Sequence, residues 1–192
     1  MTLRTAAAAL ALFAATAAVA ALKAGDAAPS FTAPASFAGK PFSFSLKDQL
    51  AKGPVVVYFY PSAYTSGCNI QAHEFSTRAE QFAAAGASVI GVSLDSIERL
   101  NEFSADPDYC AGKLAVASDA SGTIARSYGL RVSDKVRGAT DTRGKEIDHG
   151  FSERTTFVVK RDGTVLAAVG GVSPEANVAR ALELVRTLSP AR

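Results

Sequence analysis

The sequence predicts an α/β fold with a mixed β-sheet, and three stretches carry that prediction. Six β-branched and aromatic residues in a row, Val55–Tyr60, read as a buried strand that leads through a proline turn into a helical pattern. A second apolar run, Ser88–Ser93, follows one helix later. Near the C-terminus, Thr155–Lys160 and Thr164–Val169 flank Arg161-Asp162-Gly163 as a hairpin, and an amphipathic helix follows. Strands that alternate with helices and end in a hairpin and a helix describe a central sheet flanked by helices.

The chain has 192 residues, 48% of them hydrophobic, which fits one soluble domain plus an extra segment. That segment is Met1–Ala20: Arg4, then an uncharged run of Ala, Leu, Phe, Val and Thr, closing on the small-x-small triplet Ala18-Val19-Ala20. It reads as a secretory signal peptide, with residues 21–192 as a single domain exported to the bacterial periplasm. An uncleaved membrane anchor is the alternative. A mitochondrial transit peptide would need several arginines, and a bacterial lipoprotein would need a cysteine just after the run. No second apolar run is long enough to span a bilayer, so no membrane is expected after cleavage. Twenty basic against 18 acidic residues, a formal net charge of +2, argue against nucleic acid or an acidic membrane as partner.

Lys23–Lys40, rich in Ala, Gly, Pro and Ser, suggests an extended lead-in, and Phe42, Phe44 and Leu46 alternate as a short strand or hairpin arm would. Lys52-Gly53-Pro54 turns into the central strand. Pro61 ends that strand, and a helix begins near Thr65, with Cys68, Ala72, Phe75, Ala79 and Phe82 on its inward stripe. Glu74, Thr77, Arg78 and Gln81 then face water. Beyond Ser88–Ser93, Asp95-x-x-Glu98 reads as a capping box for a helix that turns Ile97, Leu100 and Phe103 inward. Leu114–Ala117 is a short strand, and the helix holding Ile124, Ala125 and Tyr128 stops at Gly129. Arg131–Phe151, with charges of both signs, reads as a surface loop, either bordering the active site or, the preferred reading, an ordinary solvated face. Ser173-Pro174 caps the last helix, whose Val178, Ala181, Leu182, Val185 and Leu188 form an apolar stripe.

The chemistry concentrates at Cys68. In the first turn of a helix, unpaired N–H groups and the positive end of the helix dipole favour a thiolate. Thr65 lies three residues earlier on the same side, within reach of the sulfur. The string F-Y-P-x-x-x-T-x-G-C over Phe59–Cys68, set on a strand, a turn and a helix, resembles the active-site motif of the peroxiredoxins, most closely the peroxiredoxin Q (bacterioferritin comigratory protein) subfamily. Gly25-Asp26-x-Ala28-Pro29-x-Phe31 resembles the entry to such domains, and Arg154 in R-T-T-F resembles the family's active-site arginine.

The resemblance implies a thioredoxin-like fold with an N-terminal extension and a thiol-dependent peroxidase reducing hydrogen peroxide and organic hydroperoxides. Cys68 would attack the peroxide, Thr65 would hold it, and Pro61 would shield the thiolate. Arg154 and the N–H groups of Gly67 and Cys68 would stabilise charge as the O–O bond breaks. Cys110, in a polar, turn-forming segment read as mobile and accessible, is the expected resolving cysteine. A structural disulfide and an incidental thiol remain as alternatives. His73 stands where many members of the subfamily carry their resolving cysteine. It lies about 140° around the helix from Cys68 and reads as a solvated surface residue.

No cofactor and no metal is expected, His73 and His149 being the only histidines. The expected partners are a hydroperoxide and a thioredoxin-like or small-thiol reductant, with the protein a monomer or weak homodimer. Two other function classes compete. A thioredoxin-like disulfide oxidoreductase would need Cys-x-x-Cys, where this chain has Thr65. A non-catalytic exported module would hold Cys68 and Cys110 in a structural disulfide.

Overall fold

A computed structural model describes residues 20–188. The expected leader, Ala20 apart, lies outside the described residues. Among the described residues, seven strands form one sheet: β1 (Thr32–Phe37), β2 (Lys40–Ser45), β3 (Val55–Phe59), β4 (Ser88–Ser93), β5 (Ala115–Ser118), β6 (Thr155–Val159) and β7 (Val165–Gly170). Their spatial order is β2-β1-β5-β4-β3-β6-β7, with β3, β4 and β5 mutually parallel and the outer pairings antiparallel. The helices are α1 (Leu46–Leu50), α2 (Ser66–Thr77), α3 (Ala79–Ala84), α4 (Ile97–Ala105), α5 (Thr123–Ser127) and α6 (Pro174–Arg186).

Every residue of β3 is buried, as a strand covered on both faces requires. Its side chains alternate: Val55, Val57 and Phe59 meet Leu46, Leu50 and Tyr128 on the face of α1 and α5. Val56 and Tyr58 join Phe75, Phe82, Leu100 and Leu182 on the opposite face, beneath α2, α3, α4 and α6. Gly91, opposite Tyr58 in β4, permits this packing, since a Cβ there would stand 2.5 Å from the Tyr58 ring. Tyr58 then stacks under Phe75 of α2 at 4.5 Å between centroids. The last helix begins as its sequence suggests, with Ser173 accepting from the Ala176 N–H and Pro174 in the first turn.

Several local expectations differ. The extended lead-in contains β1, which pairs with β2 as a hairpin at the sheet edge, and Leu46 opens a short helix instead of prolonging the alternation. The helix holding Cys68 breaks at Arg78, so Phe82 belongs to α3. The cap of α4 is Ser96, whose hydroxyl accepts from the Arg99 N–H. Asp95 lies one residue too early to cap and is fully buried.

Candidate active site

Strand β3 ends at Phe59, and Pro61–Thr65 carries the chain past the end of that strand into α2. Tyr64 holds φ at 62°, a left-handed conformation that costs a bulky residue about 1–2 kcal/mol. Its neighbours hold it there. The ring packs edge-on to Phe103 and Tyr109, the Arg143 guanidinium lies 3.2 Å from its centroid, and its carbonyl accepts from the N–H and hydroxyl of Thr142. Beneath the loop, the buried Asp95 carboxylate accepts from the Ser62 hydroxyl at 2.8 Å and the Ala63 N–H at 2.7 Å. Asp95 also pairs with Arg99 at 2.9 Å and His149 at 2.9 Å, while Arg99 reaches the Ala63 carbonyl and Asp141. Burial alone would raise the Asp95 carboxyl. The hydrogen bond and charge of His149, with the loop and Ser93 donors, outweigh it and hold the carboxyl below its usual range.

The segment Arg131–Phe151 is a mostly exposed surface loop, and it borders the active site instead of forming only a solvated face. Its ends and tip are drawn in by Asp141, Arg143, Thr142 and His149, because the active-site loop presents a carbonyl, an aromatic face and a buried carboxylate that need partners.

The helix this loop feeds starts at Ser66, and Cys68 is buried in its first turn. Arg154, one residue before β6, places Nη2 3.2 Å from the Cys68 sulfur, as a guanidinium charged at any physiological pH can. Gly67 makes room for it: a Cβ there would lie 3.1 Å from the same nitrogen. Pro61 is partly buried at the loop's start.

Three expectations about these residues change. The Thr65 hydroxyl donates to the Ser62 carbonyl at 2.9 Å rather than to the sulfur, so only its lone pairs remain to receive a proton from a ligand. The Cys68 N–H donates to the Thr65 carbonyl at 2.9 Å, so of the two N–H groups expected to act, that of Gly67 is the one without a partner among the described residues. Cys110 is not accessible. It is fully buried in the same core cluster as Cys68, in the turn after α4, and its thiol is free. Burial, with the Asp106 charge beside it, pushes that thiol well above the usual range. The polar neighbours that suggested exposure face outward while Cys110 points into the core. His73 is exposed as expected, yet its Nδ1 bonds the Asp108 carbonyl at 3.0 Å, and Ser76 donates to the Tyr109 carbonyl at 2.7 Å. Helix α2 thus grips the Cys110 turn directly.

Two participants were not read from the sequence. Gln71, one turn beyond Cys68, accepts from Arg154 Nη1, and Gln71 in turn meets Asn177 of α6. A signal existed for each: both are polar residues on apolar helix stripes, Gln71 beside Ala72 and Phe75, and Asn177 beside Val178 and Ala181. Among the described residues no group of His, Cys, Asp and Glu is arranged to hold a metal ion.

A family model described as AhpC/TSA matches residues 24–168. A Mycobacterium tuberculosis protein named "Putative peroxiredoxin" is 33% identical over 168 residues, covering 87% of this chain and 98% of its own. The crystal structure of peroxidoxin BcpB from Mycobacterium tuberculosis superposes with a TM-score of 0.72 at 30% identity, over 87% of this chain and 98% of that one. The bacterioferritin comigratory protein of Xanthomonas campestris does so with a TM-score of 0.64 at 25% identity, over 81% and 91%. With a thioredoxin-like mixed sheet, a cysteine in the first turn of α2 and an arginine on its sulfur, the chain belongs to the AhpC/TSA family of peroxiredoxins, among the peroxiredoxin Q and bacterioferritin comigratory proteins.

Proposed function

We propose that Cys68 is the residue with which this thiol peroxidase attacks hydroperoxides. The observation that carries this reading is the Arg154 guanidinium 3.2 Å from a sulfur at a helix N-terminus. The thiolate attacks the nearer peroxide oxygen, the O–O bond breaks, and the departing oxygen leaves as water or an alcohol once protonated, with Cys68 oxidised to a sulfenic acid. Arg154 and the Gly67 N–H donate to the oxygens as charge develops. Thr65, its proton committed to Ser62, accepts from the peroxide hydroxyl. Pro61 shields the sulfur from water.

The sulfenic acid is resolved by Cys110 of the same chain, with loss of water, and the disulfide is reduced by a thioredoxin-like or small thiol. Support comes from the shared core cluster of the two cysteines and from the grip of α2 on the Cys110 turn. The mature protein is exported, beginning near Ala21, and acts as a monomer or weak homodimer. Intact mass and N-terminal sequencing of protein from the periplasm test the leader; intact Met1–Ala20 on membranes would favour an anchor.

Cys68→Ser tests the nucleophile. It is nearly isosteric, so the fold should stand while peroxide consumption is abolished. Appreciable turnover in that variant would remove Cys68 from the role. Arg154→Ala should slow sulfenic acid formation by about 10²–10³-fold if it resembles other oxyanion donors.

A further inference from the structure

The Arg154 guanidinium is held by a buried amide chain that ends on a backbone carbonyl. Its Nη1 donates to Gln71 Oε1, Gln71 Nε2 donates to Asn177 Oδ1 at 3.0 Å, and Asn177 Nδ2 donates to the Val169 carbonyl at 2.9 Å. Gln71 and Asn177 are at most 1% exposed, so water cannot substitute for either partner. The chain's sense is fixed at its far end. A backbone carbonyl only accepts, so the Asn177 amino group must face Val169 and its oxygen must face Gln71. That oxygen in turn requires the Gln71 amino group, which leaves the Gln71 oxygen toward Arg154. A guanidinium has only donors, so this is the one orientation of Gln71 that binds it. With either amide reversed, two donors would meet inside the protein, at the cost of an unsatisfied buried group.

We propose that Asn177, on α6, is a positioning residue for peroxide reduction: it sets the Gln71 amide so that Arg154 is aimed at the Cys68 sulfur. The inference rests on the assignment of Cys68 and Arg154 as the reacting centre. Asn177 touches neither the sulfur nor the guanidinium and acts only through Gln71. Thr156 also donates to Asn177 Oδ1, at 2.6 Å, but as a side branch outside the chain from Val169 to Arg154.

The test is quench-flow mass spectrometry of Cys68 sulfenic acid formation with hydrogen peroxide, on protein shown to be folded by circular dichroism. Asn177→Leu and Gln71→Met should each slow the step by about 10-fold, less than loss of the donor itself. The double variant should be no slower than Gln71→Met alone, because one residue works through the other. The ¹⁵N relaxation of the Arg154 Nε–Hε group should report a less ordered guanidinium in both single variants, a change that a merely structural residue would not produce. Thr156→Val should keep the rate within about twofold, since the chain to Arg154 stays whole. Where leucine is not tolerated at 177, Asn177→Ser gives the same readouts, its side chain being too short to bridge Val169 and Gln71. A wild-type rate and ordered Arg154 in a folded Asn177 variant would overturn the proposal, as would a double variant slowed by the product of the two single effects. Arg154→Ala at the wild-type rate would instead overturn the assignment of Arg154 itself.

Discussion

Gly67→Ala should make this protein more stable and less active. Gly67 is the second residue of α2 and does not have a positive φ, so its backbone accepts an L side chain. An alanine in a helix avoids the backbone entropy of glycine, a gain of up to about 0.5–1 kcal/mol. The new Cβ would lie 3.1 Å from Arg154 Nη2 and 3.7 Å from Pro174 Cγ. Ordinary contact begins near 3.4 Å, so the guanidinium must retreat by roughly 0.3 Å. It is the end of a flexible side chain, and moving it does not strain the fold. It is also the group that donates to the Cys68 sulfur, and a misplacement of about 1 Å costs on the order of 100-fold in rate. Scaled logarithmically, about 0.3 Å costs about fourfold. Urea unfolding gives the stability change, and quench-flow sulfenic acid formation gives the rate. An unchanged or faster rate, or a lower urea midpoint, would refute the close approach of Gly67 to Arg154 as the reason for the glycine.

The remaining predictions concern the residues around that centre. Thr65→Val should slow sulfenic acid formation by roughly 10- to 1000-fold while leaving the helix in place, and an unchanged rate would remove the threonine from peroxide binding. Cys110→Ser should leave the first equivalent of peroxide reduced at the normal rate but stop recycling, with Cys68 found as sulfinic acid by mass spectrometry; normal turnover with a thioredoxin-like donor would make Cys110 incidental. At His149, burial alone would lower the imidazolium, yet the Asp95 hydrogen bond and charge hold its pKa above the usual 6.5. Its stabilisation is therefore fully present below the unfolded value and is lost as pH rises through the folded one. The urea midpoint of the protein should exceed that of His149→Gln by more at about pH 6 than at about pH 9, and a constant gap would show that the charge contributes nothing.

What could be read from the sequence follows from range. The buried strands, the capped last helix and the placing of Cys68 in a first helical turn are set by residues adjacent in the chain, where periodicity and caps act. Arg154 beside the sulfur came through a motif, because nothing local says what a residue before a strand will meet across a sheet. The failures share one cause. Asp95 looked like a cap because Glu98 follows at the right spacing, but a carboxylate can equally satisfy a loop from 32 residues away, and only the fold chooses. Cys110 looked exposed because Asp106 and Asp108 are polar, yet in a turn one side chain can point inward while the charged ones near it point out. Gln71 and Asn177 are 106 residues apart, and neither reads as part of a site until both helices lie on the same face.

The burial of Cys110 changes how the proposed resolving step is paced. On the proposed route the turn after α4 opens, which breaks the His73 bond to Asp108 and the Ser76 bond to Tyr109 and lifts the Tyr109 ring from Tyr64 and Phe103. The two hydrogen bonds contribute about 0.5–1.5 kcal/mol each, the exposed His73 bond at the low end. Uncovering the small cysteine side chain adds about 1–1.5 kcal/mol. Against this, Ala111 at φ 51° returns to a relaxed conformation and offsets about 1 kcal/mol. The net cost of roughly 1–2.5 kcal/mol leaves about one molecule in 5 to one in 70 open at a given moment. In the closed majority the sulfenic acid of the proposed cycle stays beside Arg154, while the thiol that would resolve it is protonated and buried. On the proposed roles of Cys68 and Cys110, a second peroxide would compete directly with opening, and the grip of His73 and Ser76 on the turn would set the peroxide concentration at which Cys68 passes from disulfide formation to over-oxidation.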